Sequence, residues 1–193
     1  HSPTGGAFGA YMFGIGATEM AGVLATGEIW IKVPETILIK WTGQTAAFVT
    51  AKDMMLATCA KIGMGGGRYQ AIQYAGEAIH KLNMQERMTM SNMAAELGAQ
   101  AGLISPDETT IEYLKSVNAS ILDNWQNYQI EKPDLNGEVI NLDASSLSPQ
   151  IAAPHSPENS SDVDDFKNIS FDIAYIGACT GAKSVSYTHL RAH

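Results

Sequence analysis

Between Thr36 and Gly98, short apolar runs alternate with helix-length segments that open on a capping residue, and this alternation restricts the fold more than any other feature of the chain. Thr36-Ile-Leu-Ile-Lys-Trp-Thr alternates as a strand should, and Gly43 closes it. A helix is expected from Thr50, whose hydroxyl can cap it, with Asp53 in the first turn to complement the dipole. Met54, Met55, Ala57, Thr58 and Ile62 form its inward face, with Cys59 among them as a core residue. Tyr69 to Tyr74 reads as the next strand and Glu77 to Leu82 as a short helix. Asn83 to Gly98 follows as the strongest helix, capped by Asn83, supported by Glu86 three residues on, and ended by Gly98. Strands alternating with helices predict an α/β fold, a sheet flanked by helices.

The flanking segments read less regularly. His1 to Ala10 is a turn of small residues running into a helix pattern through Tyr11, Phe13, Ile15 and Met20, and Ile29 to Val33 is a short apolar run stopped by Pro34. Ser105-Pro-Asp-Glu108 starts a helix with Ser105 as cap and Pro106 at its first position. Ala119 to Ile130 is expected to be helical, with Ile121, Leu122, Trp125 and Tyr128 inward, followed by a strand from Glu138 to Leu142. Ser, Pro, Asn and Asp fill Ser145 to Lys167, the composition of a linker, and His155 in it is an exposed loop residue. Phe171, Ile173, Ala174, Tyr175 and Ile176 then form a buried strand that ends at Gly177-Ala-Cys179.

Charge and cysteine content narrow the function. With 12 Lys and Arg spread along 193 residues and a net charge of -8, no nucleic-acid surface is expected. No apolar run approaches the roughly 20 residues of a membrane span. Cys59 and Cys179 are too few for a disulfide framework and suit a reducing compartment, the cytoplasm or, in a eukaryote, the mitochondrial matrix. The loop Gly63-Met-Gly-Gly-Gly-Arg68 lacks the ending of a P-loop and reads as a connection.

Three places can carry chemistry. Cys179 stands where a strand meets a turn, the end of an open sheet at which ligands bind; its structural alternative is a small buried hydrophobe. Asn92 and Glu96, four residues apart, share one face of a regular α-helix, where they could also be a solvated pair. The His1 turn can bring an imidazole and backbone amides to a ligand, or simply pack tightly. The methionine stripe Met84, Met88, Met90, Met93 is core.

Taken in order, several segments resemble the aconitase superfamily, and within it the 3-isopropylmalate dehydratase large-subunit branch with its homoaconitase-like relatives. They are His1 with Gly6-Ala-Phe-Gly-Ala10, Thr50-Ala-Lys-Asp53, Gly76-Glu-Ala-Ile79, Arg87 to Glu96, Gly102 to Thr110 and Ile176-Gly-Ala-Cys-Thr180. The resemblance implies an aconitase-like α/β/α fold and a hydro-lyase that isomerises a hydroxy-acid by dehydration and rehydration, 2-isopropylmalate being the preferred substrate over homocitrate and citrate. It implies a 4Fe-4S cluster with Cys179 as the first of three ligands, His1 and Glu96 as a catalytic pair, and Asn92 and Thr4 lining the pocket. The substrate would be a hydroxy-di- or tricarboxylate, and a small subunit or swivelling domain would supply the base. The family's other two ligands form a Cys-x-x-Cys pair that this chain does not contain.

On this reading the chain is an internal piece. Residues 1-34 end a first α/β domain, 35-148 form a second, and 149-183 are a linker and the first strand of a third. Residues 184-193 have the look of a non-native tail, so His189 and His193 receive no role. The alternative is a non-catalytic α/β binding or assembly module on the same scaffold.

Overall fold

The computed structural model describes residues 2-121, 123-129, 137-170 and 172-173. Four parallel strands form the main sheet: β1 (Thr36–Thr42), β2 (Ala71–Ala75), β3 (Ala101–Ile104) and β4 (Val139–Asp143), in the spatial order β3-β2-β1-β4. Register puts Ile37 beside Ile72, Ile39 beside Tyr74 and Ile140, and Trp41 beside Leu142. These side chains share one sheet face, and helices α2 (Ala51–Ile62), α3 (Glu77–Lys81) and α4 (Met84–Asn92) supply its cover. Met54, Met55 and Cys59 of α2 and Met90 of α4 close the core with Ile79, Met93 and Leu97. The expected α/β architecture of a parallel sheet flanked by helices therefore holds. Among the described residues no helix is long and apolar enough to cross a membrane.

Helix starts follow local chemistry. Asn83 Oδ1 accepts the Glu86 N–H and Glu86 Oε2 accepts the Asn83 N–H, both at 3.1 Å, so two amides at the head of α4 are satisfied reciprocally. At α2, the Asp53 carboxylate takes both the Thr50 N–H and the Thr50 hydroxyl at 2.7 Å. Gly98 adopts φ 73°, the left-handed conformation that ends the helical run before β3.

Several expectations are corrected. Residues 2-8 form a 3₁₀ turn and the helix that follows, α1, runs only over Ala17–Thr26, with Tyr11, Phe13 and Ile15 ahead of it in irregular chain. No residue of α1 is buried, and Trp30 in the apolar run after it is 88% exposed. Helix α5 spans Glu108–Ser116 and is capped by Asp107, whose carboxylate accepts the Thr110 N–H; Ser105 and Pro106 lie before it. In place of a helix from Ala119 to Ile130 there is one 3₁₀ turn, Trp125–Tyr128, with Tyr128 exposed; Leu122 and Ile130 lie outside the described residues. The stretch from Ser145 to Lys167 is not an extended linker. It contains the antiparallel pair β5 (Gln150–Ala152) and β6 (Ser160–Asp162), and it folds onto α2. Two long-range bonds hold it there: the Gln150 N–H donates to Asp53 Oδ1 at 2.8 Å, and Glu158 Oε2 accepts the Met64 N–H at 3.0 Å.

Candidate functional site

The order β3-β2-β1-β4 reverses direction between β1 and β4, the place where open α/β sheets leave a crevice beyond their strand ends. Segments that follow these two strands wall a cavity of about 510 Å³: Thr50, Lys52, Asp53 and Leu56 after β1, Gln150, Ala152 and Pro157 after β4, with Met93 and Glu96 from the helical layer. Asp53 is fully committed to structure, since it binds Thr50 through Oδ2 and Gln150 through Oδ1. Sequence reading gave Asp53 only a dipole role. The Thr50-Asp53 spacing signalled the helix cap, but nothing local signalled the tie to Gln150, 97 residues away.

Glu96 reaches this cavity because the helix changes pitch. From Met93 to Leu97 the α-helix tightens to 3₁₀. Residues four apart lie about 40° from one another around an α-helix but about 120° around a 3₁₀ helix. Asn92 and Glu96 consequently part: Asn92, buried, turns toward the N-terminal turn and its Nδ2 donates to Thr4 Oγ1 at 2.9 Å, while Glu96 lines the cavity. Neither Asn92 nor Thr4 lines that cavity. The Thr4 turn comes this close because of two glycines. A Cβ on Gly6 would collide with the Gly102 carbonyl, so the turn packs backbone to backbone on β3.

Cys59 confirms its core reading. It is fully buried, and burial followed by the nearby Glu96 carboxylate pushes its thiol up to about 11, which keeps it protonated at neutral pH. A metal ligand must be thiolate, so Cys59 does not suit a cluster. Among the described residues no group of three or more His, Cys, Asp and Glu could hold a metal ion. The described residues thus do not fit an iron-sulfur cluster. His1 and Cys179 lie outside them, as do His189 and His193, and His155 is exposed as expected.

The family model described as the aconitase family (aconitate hydratase) matches residues 1–174. The chain belongs to the aconitase family. Among curated relatives, the 3-isopropylmalate dehydratase large subunit of Moorella thermoacetica is 41% identical over 183 residues, 95% of this chain and 43% of the relative. The large subunit 1 of Pyrococcus furiosus is 42% identical over 188 residues, again 95% of this chain and 43% of the relative. That of Halothermothrix orenii is 42% identical over 183 residues, with the same shares. The chain therefore spans less than half the length of these curated relatives.

Proposed function

We propose that the chain is part of the large subunit of a hydro-lyase that interconverts 2-isopropylmalate and 3-isopropylmalate, as in leucine biosynthesis. The observation that carries this reading is identity of 41–42% across 95% of the chain with relatives that bear that name. In it, Glu96 and His1 form the acid-base pair, the carboxylate fixing the tautomer and raising the basicity of the imidazole. Asn92 and Thr4, joined by their hydrogen bond, face the substrate on the side of the N-terminal turn, away from the cavity that Glu96 lines. Cys179 is one thiolate ligand of a 4Fe-4S cluster, the other ligands being outside these 193 residues, and a small subunit completes the site with the base. Residues 35-148 are the second α/β domain of the large subunit, and 149-183 lead into a third.

Two measurements test this. The full-length large subunit, assembled with its small subunit, is expected to show its highest kcat/KM on 2-isopropylmalate when compared with homocitrate and citrate. A clear preference for either of the others moves the protein to the homoaconitase or aconitase branch, and no turnover on any favours the non-catalytic module. The 193-residue chain alone, reconstituted anaerobically with iron and sulfide, is expected to bind fewer than four irons per chain. Its two cysteines cannot supply the three thiolates, and Cys59 stays protonated in the core.

A further inference from the structure

Although Glu96 lines the cavity, one of its carboxylate oxygens, Oε2, is shut off from solvent and has no hydrogen bond among the described residues. An ionised carboxylate oxygen can only accept, so this atom calls for a donor inside the protein. Among the described residues, three other buried side-chain atoms lack partners: Trp41 Nε1, Tyr74 Oη and Ser91 Oγ. Ser91 Oγ is directed to the other side of α4, 3.5 Å from where a Cβ on Gly6 would stand. Tyr74 is the one whose ring the structure sets against the turn that carries Glu96. It rises from β2 into the layer between sheet and helices and is almost fully buried. A Cβ on Gly102 would stand 3.0 Å from Tyr74 Cε2 and 2.7 Å from the Cβ of Ala94, two residues before Glu96. Cys59 lies in the same core cluster, one turn along α2 from the cavity residue Leu56.

Electrostatics agree with that placement. Burial drives the Tyr74 phenol well above its ordinary value, and the Cys59 sulfur and the Glu96 carboxylate raise it further. The phenol is therefore protonated and available as a donor.

We propose that Tyr74 is a positioning residue for Glu96: its hydroxyl, across one buried water, donates toward Oε2, fixing the carboxylate so that its other oxygen serves the cavity. This rests on the reading of Glu96 as an active-site carboxylate. Other ionisable groups around Glu96 are Lys52 and Asp53 at the start of α2, Cys59 in its middle, and Glu158 from the turn after β5.

Tyr74→Phe in the full-length enzyme with its small subunit keeps the ring and removes only the hydroxyl. The expected result is a fall in kcat of about tenfold, the size of one lost hydrogen bond to a charged group, with KM unchanged. The acid limb of the kcat profile is expected to move to higher pH, since a carboxylate that loses a donor to its ionised form is easier to protonate. With 13C-labelled glutamate, the Glu96 carboxyl resonance, assigned through Glu96→Gln, is expected to titrate at higher pH in Tyr74→Phe, whatever the activity. A folded Tyr74→Phe enzyme whose acid limb and carbon titration both match the parent overturns the proposal. Should that variant not fold, 3-fluorotyrosine at position 74 makes a stronger donor and is expected to shift the same titration downward; no shift there also overturns it. If Glu96→Gln leaves turnover unchanged, the catalytic reading of Glu96 fails, while the carbon titration still decides the Tyr74 contact.

Discussion

Arg87→Ala is expected to lower the unfolding free energy by about 3–5 kcal/mol, the cost of breaking a buried ion pair from one side. Arg87 is fully buried, and its guanidinium is used almost completely. Nη1 and Nη2 grip Asp107 at 2.7 and 2.8 Å, Nε donates to the Leu82 carbonyl at 3.0 Å, and Nη2 also reaches the His80 carbonyl at 3.0 Å. Removing the side chain leaves a cavity, two carbonyls without their donor, and a carboxylate whose charge has lost its partner. The effect spreads because Asp107 also caps α5 through the Thr110 N–H. Arg87→Lys keeps the charge but loses the planar fork, so an intermediate loss is expected. Urea unfolding followed by circular dichroism measures both; a change below 1 kcal/mol for Arg87→Ala would show that the pair contributes nothing net. Acid adds a second signature. Burial alone would raise the Asp107 carboxyl, but the Arg87 hydrogen bonds and charge, the Thr110 N–H and His80 override it and hold it below its ordinary 3.8. A depressed folded-state value means stability that is complete above pH 3.8 and is lost as pH falls through the lower folded value. In Arg87→Ala this acid-dependent part is expected to shrink.

The same pair shows why part of the fold was legible in the sequence and part was not. Strand β1, the caps at Thr50 and Asn83, and the stop at Gly98 depend on residues within a few positions of one another, and local chemistry placed them correctly. Ser105 and Asp107 are both good caps by type. What selects Asp107 is Arg87, 20 residues earlier, which no local pattern announces. The segment from Ser145 to Lys167 has linker composition, yet Asp53 and Glu158 pin it to α2 and so build one wall of the cavity. At Ala119 to Ile130 the apolar spacing suits a helix, but Tyr128 meets no core to pack on, and spacing without burial leaves only a single turn. The site was legible in its residue types. Its geometry was not, because the tightening at Met93 moves Glu96 away from the face of Asn92.

That separation gives the second large prediction its form. In the assembled full-length enzyme, Glu96→Gln is expected to lower kcat by about 10²- to 10⁴-fold, the contribution typical of a positioned acid-base group. The substitution keeps volume and removes charge, so the cavity wall that Glu96 shares with Met93 and Leu56 should persist. Stability is expected to hold, because a neutral amide is cheaper to keep out of water than a carboxylate. Asn92→Ala makes the contrast. It removes the bond to Thr4 from a buried position and leaves a hole in its place, so it should cost about 1–3 kcal/mol of stability. Paired measurements of kcat and thermal midpoint on the two variants separate the roles. A carboxylate kept for chemistry loses turnover without losing stability, whereas one kept for structure would lose stability first; a lower midpoint with unimpaired kcat in Glu96→Gln would therefore assign Glu96 to the scaffold.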